Sequence, residues 1–152
     1  MIPTKACPIV LRDSAAQKIM VFRHPSAGIQ LVKGTIEPGD RPADAALREL
    51  HEESGIANAT VYRDLGLWDA QYQGQIWSFQ LCSTSQTLPE SWNHRCADDG
   101  GLDLHFFWHD LNCEPSEQWH PVFRRALQCI RSLIKAVPGT RTAELRFTKD
   151  RF

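Results

Sequence analysis

The chain has 152 residues, of which 42% are hydrophobic and 23% charged, so one domain spanning residues 1–152 with a substantial core is expected. The formal net charge of −1 provides no basic field for nucleic acid or an anionic membrane surface. The five cysteines include no C-x-x-C pair, which argues against a zinc ribbon or a dithiol redox centre. Because no apolar run is long enough for a signal peptide or a membrane span, we expect a cytoplasmic protein.

The first third of the chain predicts three short strands followed by a helix. Apolar, β-prone runs at residues 8–13 and 18–24 predict an antiparallel pair, and residues 28–34 predict a third strand. The segment "ADAALRELHEES" is rich in strong helix formers. Since Pro42 suits a first helical turn and Gly55 supplies a stop, we predict a helix from Pro42 to Ser54.

The remainder predicts more strands and a second helix. Further strands are predicted at residues 60–70, 75–84 and 104–110. Residues 85–103 are polar and rich in turn formers, which predicts a long loop. Apolar residues at helical spacing predict an amphipathic helix from about Pro121 to Val137, and the tail 138–152 is left open between an edge strand and disorder. This order favours a sheet covered by helices, either α+β or a three-layer sandwich.

The predicted first helix gathers carboxylates on one side. At the angular spacing of an α-helix, Glu49, Glu52 and Glu53 lie within an arc of roughly 100°. Leucines and most of the alanines occupy the opposite arc. Ala45 falls within the acidic arc, where we expect its small side chain to leave room beside the glutamates.

A solvated polar face, with Arg48 and Glu52 as an i,i+4 ion pair, is the common interpretation of such a helix. Two features oppose it here. Glu49 and Glu53 are like charges at i,i+4, which repel each other, and one arginine cannot neutralise three carboxylates. Convergent carboxylates are the ligands of a hard divalent cation such as Mg²⁺, so a metal site is the competing hypothesis.

The loop before the helix completes a spaced motif. Its specified residues are Gly34, Asp40, Arg48-Glu49-Leu50, Glu52-Glu53 and Gly55-Ile56. Residues 34–56 resemble the Nudix box, and the one departure is Asp40, where the family pattern has glutamate. The resemblance implies an α/β fold, an α/β/α sandwich around a mixed β-sheet.

The same resemblance implies a chemistry. Nudix enzymes hydrolyse a phosphoanhydride bond of a nucleoside diphosphate linked to another group, using Mg²⁺ or Mn²⁺. By resemblance, Glu49, Glu52 and Glu53 are metal ligands, and the Lys33 carbonyl adds a further ligand. Arg48 is expected to orient the glutamates through its pair with Glu52.

The role of Asp40 and the identity of the general base stay open. Asp40 either supports the metal ligands without itself binding the metal, or caps the helix that begins beside it. Being one methylene shorter than glutamate, it is expected to have reduced reach without loss of activity. The base is either a helix glutamate or a carboxylate of the later loop. The loop candidates are Glu90, Asp98, Asp99 and Asp103, of which Asp103 is preferred.

Substrate contacts are predicted at two other positions. The pair Arg23-His24, at the end of the second strand, either meets phosphate or forms a polar strand end. Tyr72 follows the motif at about the distance where a tyrosine marks Nudix enzymes that cleave dinucleoside polyphosphates. Dinucleoside polyphosphates and nucleoside triphosphates are therefore the first expected substrates, and a homodimer is left open. A non-catalytic, nucleotide-sensing module is the alternative, which the three retained helix glutamates disfavour.

Overall fold

A computed structural model describes residues 1–13, 17–97 and 100–136. The elements in chain order are β1 (Lys5–Arg12), β2 (Lys18–His24), β3 (Gly28–Gln30), β4 (Gly34–Thr35), α1 (Pro42–Ser54), β5 (Ala59–Asp69), β6 (Ile76–Thr84), β7 (Trp92–Cys96), β8 (Leu102–Asp110) and α2 (Pro121–Ala136). Val137 and the tail 138–152 lie outside the described residues. Within them, no helix is long and apolar enough to cross a membrane.

The strands form a mixed sheet in the order β5-β6-β1-β2-β8-β7, with β3 paired to β2 and β4 paired to β1. The predicted antiparallel pair of β1 and β2 is confirmed. β1 runs parallel to β6, whereas the other pairings are antiparallel. A parallel neighbour requires a crossover, which here includes α1.

Both faces of the sheet are buried, which confirms the expected sandwich. Alternate residues of a strand point to opposite faces. Ile9 packs in the cluster that contains the apolar side of α2, and its neighbour Val10 packs in the cluster that contains Leu50 of α1. One helix therefore covers each face, and the parity of a strand residue decides which helix it faces.

α1 has the predicted limits for the predicted reasons. Pro42 lies in its first turn, and Gly55 ends it with a φ of 82°, donating its N–H to the His51 carbonyl at 2.9 Å. The expectation that Ala45 leaves room beside the glutamates is wrong. Ala45 is fully buried with Ala46 against Ala6 of β1. These small side chains bring α1 close to the sheet.

Two sequence-based predictions, one of a strand and one of a loop, are wrong. The predicted strand at 28–34 is two strands, since β3 pairs with β2 and β4 pairs with β1. The predicted loop at 85–103 contains β7, which pairs with β8. Trp92 of β7 stacks on Phe106 at 5.2 Å between ring centroids and donates its indole N–H to the Ser54 carbonyl at 2.9 Å. These long-range contacts outweigh the polar, turn-rich local composition.

Leu50 anchors α1 to the sheet, since its side chain is fully buried. We expect Leu50→Ala to lower the free energy of unfolding by about 2–5 kcal/mol, because it leaves a cavity under the helix. Urea unfolding measures the change. Leu67→Ala, at a side chain that is 40% exposed, is the matched control and should shift stability by about 0.5 kcal/mol or less. Equal losses in both variants would contradict this account of how α1 is held.

Candidate functional site

Glu49 lies directly against the start of β4. A Cβ atom built on Gly34 would overlap the Cγ, Cδ and Oε2 atoms of Glu49. Only a residue without a side chain therefore allows the Glu49 carboxylate to reach the Lys33–Gly34 backbone. This is the backbone expected to contribute the Lys33 carbonyl to the metal site.

Glu52 and Glu53 continue the carboxylate face on the last turn of α1. Glu52 is exposed, whereas Glu53 is half-buried and its Oε2 atom is buried. Glu53 also lines a pocket of about 210 Å³ formed with strands β2, β3, β7 and β8. The three glutamates thus extend from the Gly34 backbone, through solvent-facing Glu52, to the edge of this pocket.

Arg48 pairs with Asp40, and the predicted ion pair between Arg48 and Glu52 is wrong. One Arg48 nitrogen donates to Asp40 Oδ2 at 2.8 Å, and the other donates to the Thr35 carbonyl at 3.0 Å. Glu52 acts on Arg48 only as a more distant charge. The guanidinium therefore ties the loop before α1 to the helix instead of contacting its neighbouring glutamate.

Asp40 does not cap α1. The N-cap residue is Arg41, with no side-chain capping bond, while Asp40 Oδ2 accepts the Glu37 backbone N–H at 3.0 Å as well as Arg48. The hydrogen bond from Arg48, followed by that from the Glu37 N–H, lowers the pKa of Asp40. The shorter acidic side chain thus reaches Arg48 and forms an ion pair with it.

Lys33 reaches the opposite side of the sheet with its side chain. The ammonium lies 4.8 Å from the Trp77 ring centroid and 5.6 Å from that of Phe123, and it donates to Gln75 Oε1 at 3.1 Å. Burial lowers the pKa of Lys33, and the nearby Lys5 lowers it further. The side chain therefore anchors the residue that precedes Gly34, and Gly34 lies against Glu49.

The structure does not bring the predicted substrate residues Arg23 and Tyr72 to the carboxylate face. Arg23 has the parity of Val21, which packs on the α2 side, and its guanidinium lies 5.9 Å from the Phe107 ring centroid. Tyr72 lies in the turn between β5 and β6. It packs against the α2-side cluster, with its ring centroid 5.7 Å from that of His120.

The described loop carboxylates form ion pairs with arginines and do not join the helix glutamates. Asp103 alternates with Leu104, which packs on the α1 side, so it faces the other way, and it pairs with Arg95 at 3.0 Å. Glu90 pairs with Arg12 at 2.8 Å. Asp98 and Asp99 lie outside the described residues. Of the described candidates for a general base, the helix glutamates are those that lie beside the Gly34 backbone and the pocket.

Sequence reasoning missed Gln30, and it did not distinguish His24 from Arg23. Both Gln30 and His24 line the pocket with Glu53. The available signal was the alternation of side chains along β2. This alternation places His24 on the same face as Phe22 and Met20 of the α1-side cluster. The position of Gln30 opposite Phe22 follows from the register of β2 with β3, which depends on strand pairing.

The donor chemistry fits a partly hydrated divalent cation. Across residues 1–13, 17–97 and 100–136, no three His, Cys, Asp or Glu side chains form a ready-made metal cage. Mg²⁺ seldom needs one, because it keeps several waters and takes one or two carboxylates together with substrate phosphate. The carboxylates of Glu49, Glu52 and Glu53, with Glu49 against the Gly34 backbone, match that ligand preference.

A family model, that of the NUDIX domain, matches residues 3–122. This span contains residues 34–56 and confirms the resemblance seen in the sequence. An RNA pyrophosphohydrolase of Bartonella quintana is 29% identical over 102 residues, which are 57% of this chain and 59% of that protein. An ADP-ribose pyrophosphatase of Haemophilus influenzae is 40% identical over 42 residues, 28% of this chain and 19% of that protein. The match thus covers less than two thirds of either relative's length.

Solved structures share the fold at lower identity. An ADP-ribose pyrophosphatase from Streptococcus suis superposes with a TM-score of 0.64 at 15% identity, covering 89% of this chain and 92% of that chain. A MutT NUDIX hydrolase from Burkholderia pseudomallei superposes with a TM-score of 0.53 at 20% identity, covering 84% and 98%. Identities this low establish the common fold alone.

Gly34→Ala tests the contact between Gly34 and Glu49. Because the added methyl would overlap the Glu49 carboxylate, we expect a loss of about 1–3 kcal/mol in the free energy of unfolding. In a Glu49→Ala background the same change should cost about 0.5 kcal/mol or less, since the overlapping atoms are gone. Urea unfolding of the wild type, the two single variants and the double variant completes this double-mutant cycle. A cost that is equal in both backgrounds would show that the overlap is not the cause.

Asp40→Asn tests the ion pair with Arg48 through its pH dependence. Since the pKa of Asp40 is lowered in the folded state, the pair stabilises the fold above the pKa of the unfolded state. That stabilisation is lost as the pH falls through the folded pKa. The variant should therefore be less stable than the wild type at pH 7, and the difference should shrink below about pH 4. Unfolding curves across this range measure it.

Asp44→Asn is the control for that titration, because Asp44 pairs with Arg41 on an exposed surface. Exposed pairs contribute little to stability, so this variant should track the wild type at every pH. An Asp40→Asn difference that persists unchanged at acid pH would assign the effect to something other than the carboxylate charge.

Proposed function

Because the chain belongs to the NUDIX hydrolase family, we propose that it is a metal-dependent pyrophosphohydrolase acting on a nucleoside diphosphate linked to another group. The observation that carries the proposal is the carboxylate face of α1, with Glu49 held against the Lys33–Gly34 backbone. A binding module that has lost catalysis has no need to keep these three carboxylates on one face.

The charge of the substrate explains the requirement for a cation. A phosphoanhydride is anionic and would be repelled by bare glutamates, so positive charge must lie between them. Glu49, Glu52, Glu53 and the Lys33 carbonyl would hold Mg²⁺ or Mn²⁺. When bound, the cation neutralises charge on the phosphate oxygens and favours attack by water.

Arg48 and Asp40 act as positioning residues in this proposal. Arg48 connects the Asp40 carboxylate and the Thr35 carbonyl to α1. Thr35 follows Gly34 in β4, so the connection keeps the Lys33–Gly34 backbone close to Glu49. The general base is assigned to one of the helix glutamates, because Asp103 and Glu90 are paired with arginines elsewhere.

Dinucleoside polyphosphates and nucleoside triphosphates remain the first substrates to test. The relatives extend the set, since one is named an RNA pyrophosphohydrolase and another an ADP-ribose pyrophosphatase. The position of Tyr72 on the α2 side, with its ring 5.8 Å from the Lys33 ammonium, gives dinucleoside polyphosphates no direct support. The substrate panel should therefore include all four classes.

Glu52→Gln and Glu53→Gln test the proposal. We expect each to lower kcat/KM by at least about a hundredfold at saturating Mg²⁺ or Mn²⁺, because a neutral amide is a poor ligand for a hard cation. Phosphate and nucleotide release from the panel measures the rates, and addition of EDTA should abolish them. Glu117→Gln, at an exposed residue before α2, is the control. Turnover that is unchanged in both variants, or unaffected by EDTA, would refute the metal site.

A further inference from the structure

The pocket beside Glu53 lies over the packed core, and most of the surface that it offers is polar. It is lined by Phe22, His24, Gln30, Glu53, Cys96, Leu102 and Leu104. Phe22, Cys96 and Leu104 are each only 2% exposed, so the floor belongs to the packed core. The Phe22 ring also packs on Phe106 at 5.2 Å between centroids. A pocket built on core side chains keeps its shape before a ligand arrives.

His24 presents a hydrogen-bond donor to this pocket. Its Nδ1 atom accepts the backbone N–H groups of Ser26 and Ala27, each at 3.0 Å. A neutral imidazole that accepts at Nδ1 carries its proton on Nε2. With Nδ1 turned to the backbone of the β2–β3 turn, Nε2–H is the group that His24 offers to a ligand.

Gln30 presents an acceptor on the neighbouring strand. Its Nε2 atom donates to the Ala27 carbonyl at 3.3 Å, which orients the amide and leaves Oε1 for a ligand. Gln30 lies opposite Phe22 in the register of β2 and β3. The same turn therefore orients both polar side chains, one as a donor and one as an acceptor.

The charge of the lining indicates which part of a nucleotide fits. No Lys or Arg is among the described residues that line the pocket, and Glu53 is an acid. A phosphate would find no positive side chain there, whereas a ring with an acceptor and a donor on one edge matches the donor of His24 and the acceptor of Gln30. Along its Watson–Crick edge every nucleobase carries both an acceptor and a donor, and proteins bind unpaired bases on this edge.

We propose that this pocket binds the nucleobase of the substrate, with His24 Nε2–H donating to the base and Gln30 Oε1 accepting from it. The proposal rests on the proposed function, which supplies the nucleotide. It places the base at the Glu53 end of the carboxylate face, while the phosphates extend towards Glu52 and Glu49. His24 and Gln30 are then specificity-determining residues.

Nucleotide binding without turnover tests the pocket separately from hydrolysis. Calorimetric titration in Mg²⁺ buffer compares AMP, GMP, CMP and UMP with ribose 5-phosphate, which lacks a base. We expect at least one nucleotide to bind about tenfold or more tightly than ribose 5-phosphate. His24→Phe and Gln30→Leu should each reduce that preference about three- to tenfold, the usual effect of removing one neutral hydrogen bond.

Two further variants keep the result interpretable. His24→Asn retains an acceptor for the Ser26 and Ala27 N–H groups, so it preserves the turn while removing Nε2–H. His105→Phe is the matched control, because His105 bonds Asn93 at 2.7 Å and has the opposite parity to Leu104. It should bind every nucleotide as the wild type does.

The outcomes separate the two proposals. Nucleotide binding that depends on His24 and Gln30, without hydrolysis of any panel substrate, would support the pocket and refute the enzyme. Hydrolysis combined with equal affinity for nucleotides and ribose 5-phosphate would refute the pocket and leave the enzyme intact. A base preference that is unchanged in the His24 and Gln30 variants would also overturn the assignment.

Discussion

The close approach of α1 to the sheet is the constraint on which the site depends. It is made by residues with little or no side chain, since Ala45 and Ala46 pack on Ala6 and the Glu49 carboxylate occupies the space beside Gly34. A larger group at any of these positions would push the helix outward. The carboxylate face would then lose its contact with the Lys33–Gly34 backbone, so packing and chemistry are determined by the same short distances.

The two faces of the sheet carry different parts of the structure around the glutamates. The α1 face carries the glutamates and the pocket, whereas the α2 face holds the Lys33 ammonium among aromatic rings and the Gln75 amide. Because the Lys33 side chain is anchored on one face, its main chain is held in place on the other. In the proposed metal site Lys33 would contribute its backbone carbonyl, while its side chain packs in the opposite layer.

The aspartate at position 40 illustrates how an ion pair tolerates a shortened side chain. Asp40 accepts from both Arg48 and the Glu37 backbone N–H, and these bonds hold the loop in a compact turn. The loop brings this shorter acid within hydrogen-bonding distance of Arg48. Arg48 in turn reaches the Thr35 carbonyl, which connects the loop, β4 and α1.

The sequence by itself determined the limits of α1 and the family, because helix geometry and motif spacing are local properties. It also predicted most of the strands. Only the tertiary structure decided that Arg48 pairs with Asp40, that Trp92 opens a strand, and that His24 and Gln30 share a pocket with Glu53. Each of these depends on strand order and register, which join residues that are distant in the chain and so leave little trace in local composition.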